Sequence, residues 1–436
     1  MKLKDYIGKV TWTLADKAMF VIFGLVSIVW IKYISAAEYG YLGLWTNIHT
    51  WIFVVSDAIA LQSIVQFGID KKNTRRANTF ALIIHICVAI LIPVTLSLFR
   101  YPLSELFNLP KLASMFLILP LFCLASVPRL YCMKLIYRDI EMNKLFWVNF
   151  TLFVPMIFMT FYYIIYAGGL SFDKMTIMYF VGHISSSLTA MILTWKKLQF
   201  GFKGDLKLTQ LFKFSFPLLT TNLLHSIPKQ LDVYLIKLFF DENVLGVYNS
   251  AKSLFRVFEE TLSAAQGLVY PSIVRKLNNC DQLGLKDIMN KSVSFLLLGF
   301  FICFGLVEMG AARIFIESFL RPEYSAAIGY LKLLSVAALG LPLFMYNSLL
   351  VAHGKTALLS LYVAVSAVAF CIILYCVGYF GLSNYIPVAY IGYSFILGGL
   401  GMNYYRKNFG FTLRDVFRSV YDIINFVKNK KVQSCK

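Results

Sequence analysis

The chain has 436 residues, a formal net charge of +19, 59% hydrophobic residues and only 14% charged ones. A soluble domain carries about 25% charged residues because its surface faces water, so a soluble enzyme is excluded. A nucleic-acid-binding protein is excluded too, since the basic residues fall between apolar runs and form no basic domain.

A helix needs about 20 largely apolar residues to cross roughly 30 Å of hydrocarbon. In chain order that rule predicts spans at Val10–Ile34, Tyr39–Ile64, Asn78–Phe99, Leu112–Cys132, Leu145–Tyr166 and Met175–Trp195. It then predicts Phe214–Phe240, Val244–Val269, Val293–Ile314, Ala326–Val351, Ala357–Tyr379 and Tyr385–Tyr405. The first, seventh and eighth contain charges and are expected to be weak on hydropathy alone. The fold class is therefore an all-α membrane protein of about twelve transmembrane helices. Met1-Lys2-Leu3-Lys4 resembles the start of a signal peptide, but the run after it is too long and is interrupted by Asp16 and Lys17. It is expected to remain as the first helix.

Lys and Arg set the orientation. One set of loops holds Lys71, Lys72, Arg75, Arg76, Lys134, Arg138, Lys144, Lys196, Lys197, Lys203, Lys207, Lys213, Arg275, Lys276, Lys286, Lys291 and Lys355. The other holds only Arg100, Lys111, Lys174 and Arg321. The bias predicts both termini in the cytoplasm. Residues 412–431 read as a basic amphipathic helix on the inner membrane face. Ala37-Glu38-Tyr39-Gly40-Tyr41 after the first span is echoed by Glu242-Asn243-Val244-Leu245-Gly246-Val247-Tyr248 after the seventh, about half the chain away. The echo predicts a duplication, with lobes at 1–205 and 206–405 of six spans each and a tail at 406–436. The cysteines form no CxxC pair and no zinc spacing, so they read as small packing residues.

Ionisable residues inside spans cost several kcal/mol unless they face a partner or a water-filled cavity. Lys32, Lys237, Arg129, Arg313 and Lys332 are expected to snorkel to an interface. The seventh and eighth spans are richer. His225, Lys229 and Asp232 share one helix face with Asn222 nearby, and Pro217 and Pro228 interrupt that helix. Lys252, Arg256, Glu259 and Glu260 share a face of the eighth span. Thr13, Asp16 and Lys17, and then Thr46, Thr50 and Asp57, make a thinner stripe on the first two spans. Such stripes suit the wall of an aqueous cleft. No GxSxG, HExxH, P-loop or GxGxxG occurs, so no catalytic constellation and no cofactor or metal is expected. Energy for transport would come from a gradient or from a separate subunit.

The chain resembles the polysaccharide flippase family, the O-antigen and capsule repeat-unit translocases of the multidrug/oligosaccharidyl-lipid/polysaccharide exporter superfamily. The resemblance rests on residues 30–42 (Trp30-Ile31-Lys32 to Glu38-Tyr39-Gly40-Tyr41-Leu42), on residues 130–138, and above all on residues 214–277. The last stretch contains Phe216-Pro217-Leu218-Leu219, Asp232-Val233-Tyr234-Leu235-Ile236, Gly246-Val247-Tyr248-Asn249-Ser250-Ala251-Lys252 and Tyr270-Pro271-Ser272-Ile273. The pair Lys229–Asp232 has no counterpart in the first half. The resemblance implies two six-helix lobes around a central cleft. It implies a substrate of undecaprenyl-pyrophosphate carrying an oligosaccharide, flipped across the bacterial inner membrane during lipopolysaccharide or related polysaccharide biosynthesis, with proton or sodium exchange. Implied partners are membrane lipid, a polysaccharide polymerase and a chain-length regulator, with no nucleic acid.

On that footing Arg256 and Lys252 are the expected phosphate contacts, with Lys229 and Lys17 as helpers. Asn222, Tyr248 and Asn249 would meet sugar hydroxyls. Asp232 would hold Lys229 or exchange a proton, and Glu259 and Glu260 would compete for Arg256. Asp16, Asp57 and His225 are further charge or coupling partners. The rival readings are a multidrug or metabolite antiporter of the same superfamily, a polymerase- or acyltransferase-type membrane enzyme, and a structural scaffold.

Overall fold

The computed structural model describes residues 3–68, 70 and 72–410, leaving aside the side chains of residues 3–10, Leu14, Thr221, His225, Pro228, Lys229, Leu268, Pro271 and Asn278. The expected amphipathic tail at 412–431 lies outside the described residues. Among those residues all regular structure is helical, as a chain in lipid requires, because only a helix or a closed barrel satisfies its own backbone there.

A helical segment stands at every one of the predicted spans. Among the described residues nine helices are long and apolar enough to cross a membrane, and the pair Pro322–Ala338 and Leu341–Ala352, bent by 40°, would make a tenth. The first helix is among the nine despite Asp16 and Lys17, contrary to the expectation of a weak span. The seventh and eighth segments do not qualify, because their faces carry the charges already noted.

Two compact units divide the chain. One holds Met1–Ser226 with Asp241–Gly246, and the other Ile227–Phe240 with Val247–Lys436. In the first unit Ser35 caps the second helix by accepting a hydrogen bond from the Glu38 amide at 3.3 Å, and Ser171 does the same for Lys174 at 3.4 Å. Both satisfy amides that a helix start leaves without partners. The fourth helix, Lys111–Asp139, runs on past its apolar part and ends at Ile140 in the left-handed region. The unit's core is aromatic: the rings of Trp45 and Phe122 lie 4.3 Å apart, and Trp30 donates from Nε1 to Thr160 Oγ1 at 2.9 Å.

The glycines of the sequence echo meet inside this unit. A Cβ on Gly40 would lie 2.4 Å from the Glu242 carbonyl oxygen, and one on Gly246 only 1.7 Å from that of Ala36. Absent side chains let two helix starts cross backbone to backbone, as small residues do in membrane helices.

In the second unit the eighth segment is a single helix of 37 residues, Glu242–Asn278, whose first residues belong to the other unit. At 1.5 Å per residue it is about 55 Å long, well beyond the hydrocarbon thickness. Among the described residues two helices contain a π turn, Asp57–Leu61 in the second and Ile227–Leu231 in the seventh, and the ninth is kinked over Val307–Ala311, where Gly310 leaves the helical conformation.

Candidate functional site

The charged face of the eighth helix is the most developed candidate. Tyr248, Lys252, Arg256 and Glu260 follow at steps of four, so they line one side of the helix. Exposure rises along that line: Tyr248 is buried, Lys252 partly buried, and Arg256 and Glu260 exposed. At the sealed end stands Asp232, fully buried at the start of the helix Asp232–Phe239. Its Oδ2 accepts from Tyr248 Oη at 2.8 Å and pairs with Lys252 Nζ at 2.5 Å, and its Oδ1 accepts from the Val233 amide at 2.9 Å. A buried carboxylate is tolerated because an opposite charge and further donors replace its water.

Asp232 pairs with Lys252 from the next helix; Lys229, its expected partner, has its side chain outside the described residues, as does His225. The Tyr248 hydroxyl is committed to Asp232 and buried, so it is not free for a sugar. One turn on, Glu259 accepts from the Tyr390 hydroxyl, not from Arg256. Among the described residues no carboxylate forms an ion pair with Arg256. Asn249 is 8% exposed, and its Nδ2 has no hydrogen-bond partner among the described residues.

The first unit holds a second, separate polar group. Asp16 is 4% exposed, and Asn149 Nδ2 donates to its Oδ1 at 2.7 Å. Asn149 Oδ1 in turn accepts from Arg129 Nη2 at 2.7 Å, and Arg129 Nε donates to Ser186 Oγ at 3.0 Å. Arg129 was expected at an interface; it is instead buried at 8% exposure, with an amide relaying its charge to Asp16. Lys237 is likewise buried, not interfacial. Asp57 pairs with Lys134 of the fourth helix at 2.7 Å and accepts from Gln62 Nε2 at 2.8 Å. Lys17 is exposed, 5.5 Å from the Phe20 ring, and Asn222 is half-buried.

Read from the sequence, the histidines of this unit are scattered residues with packing or interfacial roles. His49 Nε2 lies 3.1 Å from Ser126 Oγ, its ring 5.4 Å from that of His183, and His85 bridges Ser56 and the Val127 carbonyl. Their only sequence signal was a polar residue in each apolar span. Among the described residues no three His, Cys, Asp or Glu side chains are placed to hold a metal.

In the loop after the fourth helix, burial by itself would raise the carboxyl of Glu141, but hydrogen bonds from Lys197 at 2.5 Å and from Lys144 outweigh it and hold it below its ordinary range.

A family model described as polysaccharide biosynthesis protein matches residues 32–327. No curated protein matches the sequence. Among solved structures the chain is similar to the lipid II flippase MurJ in an inward closed conformation, with a TM-score of 0.69, 15% identity, and 96% of this chain and 92% of that one covered. It is also similar to an inward-facing multidrug resistance MATE family transporter of the MOP superfamily (TM-score 0.68, 12% identity, 92% and 94% covered). A third is the Vibrio cholerae MATE transporter VcmN in its bent form, with a TM-score of 0.55, 13% identity, and coverage of 93% and 96%. At such identities the likeness speaks for the fold, which is that of flippases and transporters.

Proposed function

Because this chain belongs to the polysaccharide biosynthesis protein family, we propose that it is a flippase for an undecaprenyl-pyrophosphate-linked oligosaccharide. The load is an O-antigen or related surface repeat unit, carried from the cytoplasmic to the periplasmic leaflet of the bacterial inner membrane, with both termini cytoplasmic. The observation that carries the reading is the basic, partly open face of the eighth helix. A sugar on a doubly charged pyrophosphate cannot cross hydrocarbon unaided. Arg256, exposed and without a carboxylate partner, offers a planar fork for phosphate oxygens. Lys252, one turn away, adds a second positive charge when phosphate draws it from Asp232. Asn249 and Asn222 are left as contacts for sugar hydroxyls. Asp232 and Glu259 are the groups suited to take up a proton or a sodium ion as the load leaves, with Asp16 and Asp57 as further candidates.

Similarity to a lipid II flippase supports a lipid-linked load. Similarity to multidrug transporters supports a second reading as an antiporter of cationic compounds, and Glu259 beside Tyr390 is the feature that favours it. The basic character of Lys252 and Arg256 weighs toward the anionic load.

The test is Arg256→Ala in an intact cell. The variant should insert at the ordinary level yet lose export of surface polysaccharide, and Arg256→Lys should restore part of it. Unchanged surface polysaccharide in Arg256→Ala would remove the proposed role.

A further inference from the structure

The two π turns and the kink of the ninth helix share a feature that reaches beyond the transport reading, in which Asp57, Asp232 and Lys252 also figure. Each carries or adjoins a carboxylate, and each carboxylate is held by a lysine from another helix. In the second helix Asp57 opens the π turn, and Lys134 of the fourth helix reaches it at 2.7 Å. In the seventh, Asp232 directly follows the π turn, and Lys252 of the eighth reaches it at 2.5 Å. In the ninth, Glu308 lies within the kinked run Val307–Ala311, and Lys332 of the tenth reaches it at 3.3 Å.

A π turn holds one residue more than an α turn, is rare, and marks a bend. In an α-helix one residue corresponds to about 100° of rotation. Absorbing the extra residue would therefore turn everything beyond it by roughly that angle. A charge pair to a neighbouring helix fixes which way the carboxylate points, and so opposes this rotation. In the ninth helix the bend is a kink: Gly310, at φ 109°, stands out of the helical conformation between two helical segments, so returning it to the helix would likewise rotate the segment beyond, and a Cβ built on it meets nothing within 4 Å. The pair Glu308–Lys332 is only partly covered, at 39% and 40% exposure, so it can open without stranding a charge in a dry core.

We infer that these carboxylate–lysine pairs are rotational latches. Closed, a pair keeps its helix bent; open, it lets the segment beyond the bend rotate.

The ninth helix tests this with residues outside the candidate site. In full-length protein with its cysteines replaced, nitroxides are placed at Phe301 and Ile314, both exposed and on opposite sides of the kink. Their separation is measured by double electron–electron resonance in proteoliposomes. Wild type should give one distance. Glu308→Gln and Lys332→Met should each add a second, shifted by roughly 5 Å, half a helix diameter. The swap of Glu308→Lys with Lys332→Glu should return the single distance. Gly310→Ala, which disfavours the positive φ, should populate the same second distance with the charges intact. A single unchanged distance in both Glu308→Gln and Lys332→Met would overturn the inference. Should Glu308→Gln fail to accumulate, Lys332→Met gives the reading from another helix.

Discussion

Removing the ammonium of Lys252 separates what holds the protein together from what moves its load. The Asp232 side chain is 1% exposed and that of Lys252 13%. In Lys252→Met the carboxylate keeps the Tyr248 hydroxyl and the Val233 amide, but stays ionised in a dry site or must take a proton. Breaking a buried pair from one side costs about 3–5 kcal/mol, a factor of roughly 10² to 5 × 10³ in the ratio of folded to unfolded protein. Asp232→Asn keeps the shape and leaves a partly exposed ammonium over the Tyr248 ring at 5.9 Å, which costs less, about 1.5–3 kcal/mol. The double variant Asp232→Asn with Lys252→Met buries no charge. It should lie within about 1 kcal/mol of wild type, a coupling of at least about 3.5 kcal/mol. Thermal unfolding in detergent, followed by size-exclusion fluorescence, reads stability; surface polysaccharide in a null strain reads export. Both single variants should melt several degrees lower, and the double should recover its midpoint while export stays lost. A Lys252→Met protein as stable as wild type would refute the burial argument. Recovery of both stability and export in the double variant would show that Lys252 serves only Asp232.

Gly246→Ala puts a Cβ where the Ala36 carbonyl oxygen is 1.7 Å away, so backbone must move. A loss of at least about 1–3 kcal/mol is expected, against no loss for Gly24→Ala, where nothing lies within 4 Å. Equal melting of the two variants would contradict the close crossing. Glu141 supplies a pH test. Its carboxyl is held below the ordinary range in the folded chain, so its contribution is present above the unfolded pKa of about 4.3 and is lost as pH falls through the lower folded value. The pair is partly exposed, so the effect should stay under about 1 kcal/mol. Glu141→Gln should flatten the fall in melting temperature between about pH 5 and 3, and an unaltered slope would count against it.

What the sequence determined by itself is what local composition controls. Runs of apolar residues placed a helix at every predicted span, and the lack of charge named lipid as the solvent, because both follow from stretches of about twenty residues. The echo of Gly40 in Gly246 also marked a real structural feature, since only residues without a side chain permit that approach. The identity of each charge's partner was decided by tertiary structure alone. Spacing along one helix could name only Lys229 for Asp232, and it took packing to bring Lys252 from the next helix within 2.5 Å. Hydropathy sent Arg129 to an interface, yet Asn149 and Ser186, on two other helices, give it donors' partners in the interior. The π turns were equally invisible, since one extra residue in a turn leaves the apolar pattern nearly unchanged. A charge in lipid must find its counterpart wherever the bundle supplies it, and which helices touch is not written in any one of them.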